Sequence, residues 1–211
     1  MDFIRFFGSH RTEILTLTVE HLWLVGISVA FAVGVGVPLG IVITRSPKLR
    51  APVLGVVNMI QVIPSLALFG FLLPLPWLGE RADRLAIVAL TLYALLPIVR
   101  NTYTGITTID PAVREAARGM GLTSMDMLWR VELPLATGVI LAGIRVALVI
   151  TIGVATIAAA IGAGGLGEFI FRGLAMVDNR VILAGAVPAG AMALAADLGL
   201  GRIEKLLRVP R

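Results

Sequence analysis

The chain has no cysteine, only two histidines (His10 and His21) and only two lysines (Lys48 and Lys205). Without thiols there is no disulfide, no thiolate nucleophile and no cysteine-ligated metal. Two imidazoles are too few for a histidine metal site without carboxylate help, and no metal or other cofactor is expected. Neither lysine belongs to a G-x-x-x-x-G-K-[ST] loop, so the chain lacks the conventional cradle for ATP phosphates. Charge is scarce: 15% of the 211 residues are Asp, Glu, Lys or Arg, against about 25% in soluble domains. Aromatic residues make up 6% and do not cluster, which leaves little material for an aromatic cage around a cation. The N-terminal MDFIRFFGSHRTE has neither a basic n-region nor an A-x-A site, so no removable signal peptide is expected.

What the chain does have is apolar length: 58% hydrophobic residues and a mean hydropathy of +0.96, the composition of an integral membrane protein. The net charge of +5 does not point to nucleic acid, because the 18 basic residues stand at the ends of apolar runs and form no stripe. Five runs are long enough to cross about 30 Å of hydrocarbon: Leu22–Ile43, Val53–Leu75, Leu85–Ile106, Leu135–Ile161 and Val181–Leu200. With the N-terminus outside, eleven basic residues fall in inner segments and six in outer ones, and Arg145 lies within a span. The positive-inside rule therefore predicts an outer N-terminus and an inner C-terminus.

The longest inner loop, Asn101–Pro134, is too polar to cross and too rich in helix signals to be slack. Asp110-Pro111 is an N-cap followed by proline at the first helical position. The helix predicted to follow, AVREAAR, ends at Gly119 or Gly121, where glycine can take a left-handed cap. Thr123 with Asp126 three residues on predicts a second short helix, and Pro134 opens the fourth span. From these signals alone, two readings stay open: an interfacial helix pair resting on headgroups, or a docking surface.

The loop reads EAARGMGLTSMDMLWRVELP. It resembles the EAA motif of bacterial ABC-importer permeases: EAA, three residues, Gly, nine residues, an aliphatic, one residue, Leu-Pro. Glu115, Ala116, Ala117, Gly121, Leu133 and Pro134 fall on the pattern, with Val131 where isoleucine is commoner. VEHLWLVGIS, GVPLGIVITR, QVIPSLALFGFLLPL, YALLPIVRNTYTGI, AGIRVALV and IGAGGLGEFI extend the likeness over about Leu15–Leu206, to permeases of the osmoprotectant branch. The resemblance implies an all-α, MetI-like type I importer domain of five core helices over 15–206, with its coupling loop at about 107–134. It places an extracytoplasmic segment at 1–14 and a cytoplasmic tail at 207–211. It also implies a plasma-membrane location and import of glycine betaine, carnitine or choline. The implied partners are two ATPase subunits, a second permease subunit and an external binding protein. Glu115, Ala116, Ala117, Arg118, Gly121, Leu133 and Pro134 become the expected ATPase-coupling residues. A permease for another small solute such as an amino acid is the alternative. An ion-coupled secondary transporter is less favoured, because no internal repeat is evident and intramembrane acids are few.

Asn58, Gln61, Pro64 and Ser65 in the second span, with Tyr93 and Pro97 in the third, are the candidate pathway residues. Prolines there free backbone carbonyls that protein or a cavity must satisfy; the competing role for the polar side chains is helix-to-helix glue. Arg145 and Asp197 are the deepest intramembrane charges, either an ion pair or snorkelling groups. Glu20 and His21 are expected to be wetted at the outer end. GAGGLG at 162–167 satisfies G-x-G-x-x-G but follows an apolar span rather than a strand, so it is read as a tight turn into a short helix near Glu168–Leu174.

Overall fold

Runs of Leu, Val, Ile and Ala with charges held to their ends become helices, because in hydrocarbon a helix satisfies its own backbone. The structure, a computed structural model, describes residues 2–207, with side chains from Arg5 onward. The predicted tail past Leu207 lies outside the described residues. In chain order the helices are α1 (Asp2–Ser9), α2 (Arg11–Arg45), α3 (Pro47–Val62), α4 (Ser65–Leu72), α5 (Pro76–Gly79) and α6 (Ala82–Thr107). They continue with α7 (Pro111–Gly119), α8 (Ser124–Met127), α9 (Leu133–Ala158), α10 (Gly167–Met176) and α11 (Asn179–Leu207). A π-helical turn, Leu128–Glu132, joins α8 to α9. Among the described residues four helices are long and apolar enough to span, or five when the bent pair α3–α4 is taken as one span.

The packing is centred on α6, which lies against α2 on one side and α9 on the other, with α11 on α9 and α10 on α11. Leu85, Ala89, Leu90, Ala94, Ile98 and Val99 of α6 are fully enclosed. Large apolar side chains such as Trp23, Met59, Val62, Phe71 and Leu194 point outward instead. Such a surface suits lipid tails or another membrane helix rather than water. Close approach sets the α6–α9 contact: a Cβ added at Gly143 would lie 2.5 Å from Asn101 Cβ and 2.7 Å from the Pro97 carbonyl. Only glycine permits that spacing.

Three predicted boundaries differ. The first spanning helix, α2, begins at Arg11, not near Leu22; at 1.5 Å per residue its 35 residues reach about 52 Å, well past the hydrocarbon. The extension is held from the side, since Arg172 of α10 pairs with Glu13 at 2.8 Å. The second expected span is broken, α3 and α4 meeting at 104°. Pro64 disfavours the helical region for Ile63, which takes φ −64° and ψ 127° and ends α3. The third concerns the loop, whose second short helix runs through the π turn directly into α9. A proline ring clashes with the carbonyl four residues back, and the wider turn before Pro134 relieves the clash with Arg130.

Candidate functional site

At the loop the local signals act as the sequence predicts. Asp110 Oδ1 accepts from the Ala112 amide at 2.8 Å and caps α7. The helix closes with the Leu122 amide donating to the Ala117 carbonyl (3.2 Å) and the Gly121 amide to Arg118 (2.9 Å), a Schellman arrangement. It requires a left-handed residue, and Gly121 sits at φ +80°. Thr123 Oγ1 accepts from the Asp126 amide at 3.2 Å and donates to Asp126 Oδ2 at 2.6 Å.

The motif residues do not share one fate. Glu115, Ala116, Arg118, Gly121 and Pro134 are exposed, Leu133 is half-buried and Ala117 is buried. Ala117 therefore seats α7 on the bundle, and of the two motif alanines Ala116 is the one that faces outward. Further along the loop are exposed apolar groups: Met120 (73% exposed), Met125, and Trp129 (64%), whose Nε1 donates to Met125 Sδ at 3.1 Å. The surface thus mixes charge at Glu115 and Arg118 with thioethers and an indole, a composition suited to a protein groove.

Glu132, the position that the motif spacing leaves free, joins the site only in the folded chain. It is 1% exposed. Arg45 at the end of α2 donates to it from Nη1 at 3.3 Å and from Nη2. Arg114 of α7 brings Nε to 3.2 Å from Oε1, close enough for charge pairing but not aligned as a hydrogen bond, while its Nη2 donates to the Ile106 carbonyl. A signal was available, because Glu132, Ala136 and Ile140 recur every four residues and all are buried. Arg45 and Arg114 are 44% and 25% exposed, so removing one partner costs less than the about 3–5 kcal/mol typical of a fully buried pair.

The pathway candidates separate. Asn58 and Pro64 are exposed, Gln61 and Ser65 half-buried, and Tyr93 and Pro97 buried. Gln61 and Ser65 fall on either side of the break at Ile63, on α3 and α4, so they do not share one helix face. Tyr93 donates its hydroxyl to the Ile63 carbonyl, and the Pro97 carbonyl accepts from Asn101 Nδ2 at 2.8 Å. Both are structural contacts within the bundle. Asn58 and Gln61 make no side-chain hydrogen bond among the described residues.

Arg145 on α9 and Asp197 on α11 are brought together, Nη1 to Oδ1 at 3.6 Å, and Glu204 joins at 3.4 Å from Nη2. They border a cavity of about 370 Å³, also lined by Arg202 and Lys205. Arg145 and Asp197 thus face one another as an ion pair, with the Asp197 side chain still about half exposed.

At the opposite end His21 is buried, with Nε2 3.1 Å from the Ile152 carbonyl, so the expectation that it is wetted fails. It lies eleven residues inside the lengthened α2, against α9. Glu20 is exposed but accepts from the Gly165 amide at 3.2 Å. The glycine run is a turn as predicted: Gly162, Gly164 and Gly165 have φ of 80°, 81° and 82°, and α10 follows. Before α11, hydrogen bonds from Arg180 hold the Asp178 carboxyl below its ordinary range.

The sequence matches the family model of the binding-protein-dependent transport system inner membrane component over residues 36–209. The chain belongs to this family. Relatives of the permease include the osmoprotectant import permease protein OsmW of Salmonella typhimurium, 44% identical over 98% of this chain and 97% of its relative. The carnitine transport permease protein OpuCB of Listeria monocytogenes is 43% identical, covering 95% and 91%. The choline transport system permease protein OpuBB of Bacillus subtilis is also 43% identical, covering 97% and 93%. Among solved structures, the inward-facing MetNI methionine ABC transporter superposes with a TM-score of 0.82 at 25% identity, over 92% of this chain and 95% of that one. An amino acid ABC transporter with histidines shares the fold at 20% identity and a TM-score of 0.73, over 99% and 98%. The permease is a membrane component of an ABC importer, with the all-α, MetI-like bundle that the motif implied.

Proposed function

We propose that this chain forms the translocation pathway of an importer for a quaternary-ammonium osmoprotectant such as glycine betaine, carnitine or choline. An external binding protein delivers the solute, a second permease subunit completes the pathway, and two ATPase subunits dock on the loop 107–134 at the cytoplasmic face. The observation that carries the reading is the exposed surface of Glu115, Ala116, Arg118, Met120 and Trp129, on helices capped at Asp110, Gly121 and Thr123. Near full-length identity of 43–44% to osmoprotectant, carnitine and choline permeases supports the solute class. The likeness to the methionine transporter favours a second reading, an amino acid as solute, but at lower identity. Asn58 and Gln61, unbonded amides in the broken second span, fit a wetted pathway, because lipid would leave them unsatisfied.

The test is reconstitution with the cognate ATPase and binding protein in liposomes, comparing uptake of radiolabelled glycine betaine, carnitine, choline and methionine. ATP-dependent uptake of the first three is expected; uptake of methionine alone overturns the solute assignment. Gly121→Val should insert normally yet lose ATPase co-purification, because a β-branched residue at φ +80° carries about 1–2 kcal/mol of strain in the turn that aims the surface. Undiminished co-purification and uptake would remove the loop from the coupling role.

A further inference from the structure

The Glu132 carboxylate stands where the loop meets three spans. Arg45 is the last residue of α2, Ile106 lies in the last turn of α6, and Glu132 immediately precedes α9. Arg114 of α7 touches two of these points at once, with Nε beside Glu132 and Nη2 on the Ile106 carbonyl. We propose that Glu132 is the joint through which movement of α7 reaches the ends of α2, α6 and α9, a role that rests on the coupling reading above.

α7 has few other attachments. Ala117 is its one buried residue, and it is flanked by the bend at Thr108–Asp110 and the glycine turn at Gly121. A push delivered to its outer face has three routes into the bundle: the chain itself, the packing at Ala117, and the Arg114 guanidinium, the one polar link. The guanidinium is hydrogen-bonded to the Ile106 carbonyl through Nη2 and holds Glu132 through charge at Nε, so it links the two points without a directional bond to the carboxylate. Glu132 is enclosed and shared between Arg45 and Arg114, so displacing α7 without it removes one of the two cations and leaves Arg45 alone to offset the buried charge. Apolar side chains of similar volume are often as stabilising as a buried ion pair. Holding register between moving parts is therefore the better account of a carboxylate at the head of an apolar stripe. The π turn that Glu132 closes supplies a segment able to adjust as α9 shifts.

The experiment uses the complete transporter in liposomes, with Glu132→Gln, Arg114→Lys and, on the outer face, Glu115→Ala. The measured quantity is ATP hydrolysed per solute imported, using whichever of glycine betaine, carnitine or choline the unmodified complex carries fastest. Glu132→Gln should assemble in normal yield yet raise the ratio roughly tenfold, the change expected from losing about 1.4 kcal/mol of state-dependent contact. A normal ratio for Glu132→Gln beside a raised one for Glu115→Ala overturns the joint and leaves the coupling surface standing. Normal ratios for both overturn the coupling surface and the joint with it. If Glu132→Gln fails to assemble, Arg114→Lys decides, since lysine keeps the charge but cannot span Glu132 and the Ile106 carbonyl. A raised ratio supports the joint, and a normal one sinks it.

Discussion

At Ile63 the main chain leaves the helix, and the Tyr93 hydroxyl reaches from α6 to the carbonyl set free. Tyr93→Phe deletes that donor with little change of shape and leaves a carbonyl unpaired, at a cost of about 1–3 kcal/mol. Thermal unfolding in detergent should show the loss as a lowered Tm. Arg145 and Asp197 differ in kind. Asp197 is half exposed and 3.6 Å from its partner, the geometry of a weak, screened pair. Asp197→Asn should therefore change stability by less than about 1 kcal/mol, and added salt should shrink the difference further. A large, salt-independent loss would mean that the charge is held in a drier setting than its exposure indicates.

Among the elements, the α3–α4 corner depends on Pro64. Alanine there lifts the restriction on Ile63 and restores an amide able to donate within a helix. Pro64→Ala should open the 104° bend, measurable as a longer distance between spin labels at Asn58→Cys and Leu72→Cys. The chain has no native cysteine, so these would be its sole labelling sites. An unchanged distance would assign the bend to packing against α6 rather than to the proline. The length of α2 has the opposite cause. No proline precedes Pro38 and no glycine lies between Arg11 and Gly26, so nothing ends the helix where the hydrocarbon does, and α10 holds the excess through Arg172 and Glu13.

For the whole molecule, the outward apolar surface and the inward small residues describe a bundle made to sit in lipid and to meet another helical surface. The loop collects at one end of it: Arg45 and Arg114 meet at the Glu132 carboxylate, and Arg114 also holds the Ile106 carbonyl, so four separate stretches of chain are joined there. Such convergence lets a short, exposed helix act on several spans at once. It also makes the loop end more sensitive to substitution than its surface exposure suggests.

Periodicity, caps and motif spacing settled the helical class, the position of the loop and its turn chemistry, because these depend on near neighbours. Asp110, Gly121 and Thr123 act within four residues of themselves, and the sequence displays that whole interaction. The break at Ile63 was also locally encoded, in Pro64, although apolar length concealed it. What only the tertiary structure decided lies far apart in the chain: Arg45 with Glu132, Tyr93 with Ile63, His21 with Ile152, and Arg145 with Asp197 and Glu204. A polar group inside a bundle takes its meaning from whichever partner satisfies it, and chain order does not carry that information.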